Sequence, residues 1–225
     1  MGDAIGQMLA SAVGIAISPL PLIAVILMLA TPQGRRNGIA FTTGWILALA
    51  LAVTAIVLLG SGADANSQGT PASWTMWLKL ALGLVFLLLG VKQWRDRPRE
   101  GEQAQTPGWM RAIDGFTPAK SAGLAAALAV ANPKNLVLAV GGALSIASSG
   151  ASTGGKTVAA VLMVLIASLC ALLPLGVYLL GGDRATEILG GWKTWMAEHN
   201  GAIMTVVLAV LGAKYIGDAI TGLTG

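Results

Sequence analysis

Charge is scarce in this chain. Only 11% of its 225 residues are Asp, Glu, Lys or Arg, where a soluble domain carries about 25%. That excludes a soluble globular protein. A hydrophobic fraction of 55% and a mean hydropathy of +0.75 equally exclude a disordered chain, which needs the opposite balance. A single cysteine, Cys170, allows neither an intrachain disulfide nor a CxxC redox pair. A single histidine, His199, has no second His or Cys with which to build a metal set, and it reads as a solvated loop residue. No Ser/His/Asp arrangement, carboxylate dyad or phosphate-cradling glycine motif occurs. The chain is therefore expected to be neither an enzyme nor a holder of metal or cofactor. No run of basic residues interleaved with aromatics points to nucleic acid, and the net charge of +4 reports loop topology instead.

Long apolar runs fill the space that charge leaves. About 20 mostly apolar residues cross about 30 Å of hydrocarbon. Six runs meet that length, at about 5–30, 39–60, 74–94, 121–147, 157–180 and 201–220. The first is too long for a cleaved signal peptide, and no basic residue precedes it. The fourth is interrupted by Asn132-Pro133-Lys134-Asn135, and the fifth contains Pro174. The expected fold is an all-α integral membrane protein of six transmembrane helices in a single domain.

Loop charge orients such a bundle. Arg35 and Arg36 lie in the first loop. Lys92, Arg95, Arg97, Arg99, Arg111 and Lys120 lie in or beside the third, and Arg184 and Lys193 in the fifth. The second loop has no basic residue and the fourth has Lys156 alone. The positive-inside rule then puts odd loops in the cytoplasm and both termini outside, in a cytoplasmic membrane. Trp74, Trp77, Trp94, Trp109, Trp192 and Trp195 fall near span ends, as interfacial anchors do. The stretch from Pro107 to Phe116 reads either as a short amphipathic turn on the inner face or as a plain linker with one aromatic anchor.

Two breaks suggest two halves. Ser18-Pro19-Leu20-Pro21 interrupts the first span and Asn132-Pro133-Lys134-Asn135 the fourth, with Pro19 and Pro133 separated by 114 residues, about half the chain. Three spans per half force the second half to enter from the opposite side. The expected plan is a 3+3 inverted repeat, with repeat 1 at about 5–94, a loop at 95–120 and repeat 2 at about 121–221, and with helices 1 and 4 broken. Transporters of that plan bind substrate where paired broken helices meet near mid-membrane. Proline lacks an N–H and clashes with the carbonyl one turn back, and a freed carbonyl in hydrocarbon must find a partner.

Lys134 is the sharpest polar signal. A lysine deep in a span costs about 2.5–3.5 kcal/mol on insertion scales, so it should face a cavity or a partner. From a span start near Ser121 it lies about 20 Å in, far for snorkelling. Its charge suits a carboxylate, phosphate or sulfate, and it also suits proton coupling. Asn132 and Asn135 either bind ligand or cap the broken half-helices. Lys214 and Asp218, four apart near the end of the sixth span, read as a structural ion pair or a coupling pair. Gly141-Gly142, Gly154-Gly155 and Gly190-Gly191 read as packing and turn positions.

The Ser18-Pro19-Leu20-Pro21 span, the loop Gly34-Arg35-Arg36-Asn37-Gly38, the stretch Asp114-Gly115-Phe116-Thr117-Pro118 and the Asn132–Asn135 break together resemble the lysine exporter superfamily. Within it the chain is similar to the actinobacterial branch of sulfolipid- or glycopeptidolipid-addressing proteins. Amino-acid exporters of the superfamily carry Pro-Gly-Pro in the first span, and Leu20 replaces that glycine here. The resemblance implies a role in moving a cell-envelope glycolipid or its precursor across the cytoplasmic membrane. The substrate-binding residues are then expected at Ser18, Pro19, Pro21, Asn132, Pro133, Lys134 and Asn135. Two other readings stay open: a small-solute exporter of the amino-acid type, and a non-transporting partner of a larger lipid export or synthesis complex. Gly- and Ala-rich faces also allow a homodimer.

Overall fold

The computed structural model describes residues 2–64, 73–95, 113 and 115–224. All regular structure among them is helical. In chain order the helices are α1 (Gly2–Ala16), α2 (Pro19–Leu29), α3 (Gly34–Asp64), α4 (Ser73–Arg95), α5 (Pro118–Ala126), α6 (Pro133–Ala147), α7 (Thr153–Ala167), α8 (Leu169–Leu180) and α9 (Ala185–Thr224). A five-residue π turn, Ala127–Ala131, joins α5 towards α6, and a short 3₁₀ turn, Gly182–Arg184, precedes α9.

Three helices are long and apolar enough to cross a membrane unbroken, at Gly34–Ser61, Met76–Arg95 and Gly201–Thr224. Three bent pairs also qualify: α1 with α2 (47°), Pro118–Ala131 with α6 (64°) and α7 with α8 (56°). Counting each pair as one span gives six. The protein buries only 28–33% of the unbroken spans. Leu51, Leu58, Leu59, Leu88 and Val206 stand exposed on them. A soluble fold would not leave so much apolar surface in water; this one fits a membrane protein.

Proline sets the two expected breaks. The residue before a proline is pushed out of the helical region, and proline then serves well as the first residue of a new helix. Ser18 before Pro19 sits at φ −73°, ψ 116°, and Asn132 before Pro133 has the same pair of angles. The third bend, at Ser168, differs from the sequence expectation, which offered only Pro174 in this span. Pro174 lies inside α8 and cannot donate to the Cys170 carbonyl; the helix gives way half a turn further back. The stretch expected as a fifth loop is corrected as well. It is the first half of α9, a continuous helix of 40 residues. His199 is thus an exposed helical residue, stacked on Trp195 with ring centroids 4.8 Å apart. Gly190 and Gly191 make no turn there, and a side chain at either would meet open space.

α4 lies along α9, α3 against α5 and α6, α1 against α6 and α7, and α2 against α8. The α4–α9 crossing is close because Gly83 and Gly212 face each other: a Cβ on either would sit 3.1 Å from the carbonyl oxygen of the other. Phe86 stacks on Tyr215 at 5.5 Å, and the Tyr215 hydroxyl pairs with Ser11 Oγ at 2.9 Å.

Two ties mark opposite ends of the bundle. Asn37 Nδ2 donates to the Phe116 carbonyl (2.9 Å), joining the start of α3 to the start of α5. Lys156 Nζ donates to Ser61 Oγ (3.2 Å) and to the Ala147 carbonyl, joining the ends of α3 and α6 to the start of α7. Arg35, Arg36, Lys92, Arg95, Lys120 and Arg184 are exposed. Trp77, Trp94 and Trp195 are exposed near span ends. Most of 96–114, with Arg97, Arg99, Trp109 and Arg111, and the side chain of Trp74 lie outside the described residues.

Candidate functional site

The two proline breaks meet. Ser18 does not cap its own helix. Its Oγ instead donates to Asn135 Oδ1 (3.1 Å) and accepts from Lys134 Nζ (2.8 Å). The hydroxyl at the first break thus binds both polar side chains that follow the second. Ser18 and Asn135 are buried, Lys134 half-buried. Met204, from α9, closes the other side of the ammonium, with its sulfur in contact with Lys134 Nζ.

The two asparagines repair the broken backbone. Asn132 Oδ1 accepts from the Lys134 N–H (3.1 Å), which caps α6. Asn135 Nδ2 donates to the Leu128 carbonyl (2.9 Å). That carbonyl is one that the break orphans. In the π turn the Asn132 N–H reaches back to Ala127 (3.1 Å), and the next residue, Pro133, has no N–H to offer Leu128. A lost carbonyl bond in lipid would otherwise be costly, and π turns recur at functional sites.

Lys134 has no carboxylate within ion-pair distance among the described residues. Of its three ammonium protons, one goes to a neutral hydroxyl and one faces a thioether, a weak acceptor. One ammonium proton is thus left without an assigned partner among the described residues.

An apolar cleft of about 580 Å³ opens beside this centre. Ala16 and Ile17, just before the first break, line one wall, and Ile166 and Leu169, flanking the Ser168 bend, line another. Trp192 and Trp195 of α9 close one end. Cys170, near the start of α8, also lines it. The third bend thus belongs to the same region. The Ser168 hydroxyl there is buried and has no hydrogen-bond partner among the described residues.

Of the sequence-predicted residues, Ser18, Asn132, Lys134 and Asn135 come together. Pro19 and Pro21 are buried behind the first break, while Pro133 is exposed. Lys214 and Asp218 stand apart. They form an ion pair at 2.6 Å, ten residues or about 15 Å along α9 from Met204, with Lys214 also 5.4 Å from the Tyr215 ring centroid. Met204, Cys170 and Ser168 are additions that sequence reasoning missed. A methionine in an apolar helix carries no signal of its own.

No curated protein and no solved structure matches the chain. A family model described as "Sap, sulfolipid-1-addressing protein" matches residues 8–221, almost the whole length. The chain, a helical protein with the spans of a membrane protein, belongs to the sulfolipid-1-addressing protein family.

Proposed function

We propose that this protein is a carrier, not an enzyme, that moves an anionic envelope lipid or lipid precursor across the cytoplasmic membrane. One observation carries the reading: the Lys134 ammonium, free of any carboxylate among the described residues, at the meeting point of two helix breaks. A site for a zwitterionic amino acid would need a negative partner as well, so the same observation favours an anionic cargo over a small zwitterion. The neighbouring apolar cleft suits an acyl chain, and the family's description supports a lipid role.

We further read the chain as a 3+3 inverted repeat, with both termini outside. The matched dihedral angles at Ser18 and Asn132, 114 residues apart, support this. So does the packing, in which most neighbouring pairs have a counterpart in the other half: α1 on α7 answers α3 on α5, and α2 on α8 answers α3 on α6. The same break motifs support membership of the lysine exporter superfamily. In such a carrier the breaks stay fixed while the halves rock around them.

The test is the lipid content of the outer envelope in cells with the gene, without it, and with Lys134→Ala. Loss of one anionic lipid class from the outside in the last two, with the variant still accumulating in the membrane, is the expected result. Normal outer lipid in the Lys134→Ala cells contradicts the reading.

A further inference from the structure

A second amphiphilic groove lies at the other end of the bundle, between α3 and α7. Its volume is about 570 Å³, within the range of ligand sites. Val53 and Val57 of α3 and Ala160 and Val164 of α7 form its apolar walls. Thr54, Leu58, Val161 and Leu165 also line it and are exposed, so it opens sideways. The lining runs from Ile46 to Ser61 on α3, about 22 Å of helix, more than the ~15 Å depth of one leaflet's hydrocarbon.

One end is polar and cationic. Lys156, Thr157 and Ser61 line it there. Lys156 Nζ donates to Ser61 Oγ and to the Ala147 carbonyl, leaving one of its three protons unassigned. No carboxylate pairs with it among the described residues. It is also the basic residue that the sequence places alone in an otherwise uncharged loop.

We propose that this groove binds an anionic lipid, with one acyl chain between α3 and α7 and the headgroup phosphate or sulfate on Lys156. Charge complementarity at the cationic end selects the occupant: a zwitterionic lipid fills the apolar walls equally well but gains little at Lys156. A lysine near the membrane surface favours an anionic headgroup by about fivefold. The site is separate from Lys134 and stands or falls by itself.

The experiment uses the full chain in vesicles containing a trace of phosphatidylglycerol or phosphatidylcholine with a photoreactive diazirine on one acyl chain. Cross-linked peptides are then mapped by mass spectrometry. Phosphatidylglycerol should label the 153–165 segment about five times more strongly than phosphatidylcholine. Lys156→Gln should remove that preference, Lys156→Arg should keep it, and excess inorganic phosphate should not compete. Ala160→Trp, which fills the groove and spares the lysine, should cut labelling of 153–165 by both lipids. Lys134→Gln should leave this labelling unchanged, so failure here is distinguishable from failure of the carrier reading. Equal labelling by both lipids, or a Lys156→Gln preference within twofold of wild type, overturns the proposal. Competition by inorganic phosphate overturns it too. Should Lys156→Gln not fold, labelling undiminished in Ala160→Trp overturns it by itself.

Discussion

The Ser18–Pro19 and Asn132–Pro133 breaks have the same backbone and opposite chemistry. Each places its pre-proline residue at φ −73°, ψ 116° and restarts a helix on proline. At the second break the side chains repair the damage: Asn132 caps α6 and Asn135 fills the Leu128 carbonyl. At the first, Ser18 does no repair and gives its hydroxyl to Lys134 and Asn135 across the interface. The difference teaches that an X–Pro step supplies only a generic gap. What the gap does is decided by whether the flanking side chain looks back to its own helix or across to the other half. Lys134 is the group this arrangement leaves without a carboxylate partner among the described residues.

Substitutions can break or sharpen that contrast. The largest effect is expected at the charge itself. Lys134→Ala should lower transport about tenfold or more, the value of a charge-assisted hydrogen bond of about 1.5–3 kcal/mol, measured as outward lipid flux per unit of protein. Asn135→Ala comes next. It strands the Leu128 carbonyl and one Ser18 bond, and should cost about 1–3 kcal/mol in stability, read by unfolding in lipid bicelles. Asn132→Ala loses one partly exposed cap and should cost about 1 kcal/mol. Equal losses at the two asparagines would remove the distinction between buried repair and simple capping. The smallest effect is expected at the third bend. Ser168→Ala deletes a buried hydroxyl without a hydrogen-bond partner among the described residues, and should lose no more than about 0.5 kcal/mol of stability, because there is no hydrogen bond to give up. A larger loss would show that Ser168 holds the bend.

Much of this was legible in the residues. The apolar runs and the two Pro-marked breaks carry strong physical signals, because insertion length and a missing N–H are local properties. The sequence puts the start of the fourth span a turn late, near Ser121: α5 begins at Pro118, where Thr117 Oγ1 accepts from the Lys120 N–H (3.4 Å). The bend at Ser168 was hidden, since its proline lies six residues downstream. The helical course of 185–200 was hidden too. Gly190-Gly191 and Asn200-Gly201 look like breakers in isolation, but the helix runs on through them. Met204 could not be found from sequence, because its place beside Lys134 depends on how α9 packs.

The most direct measurement is outward movement of a headgroup-labelled phosphatidylglycerol in vesicles holding only the purified protein, against the same label on phosphatidylcholine. If Lys134 is the anion site, wild type moves the anionic lipid faster, and Lys134→Ala removes that advantage while Lys134→Arg retains part of it. Equal rates for the two lipids in wild type, or an undiminished anionic rate in Lys134→Ala, would contradict it.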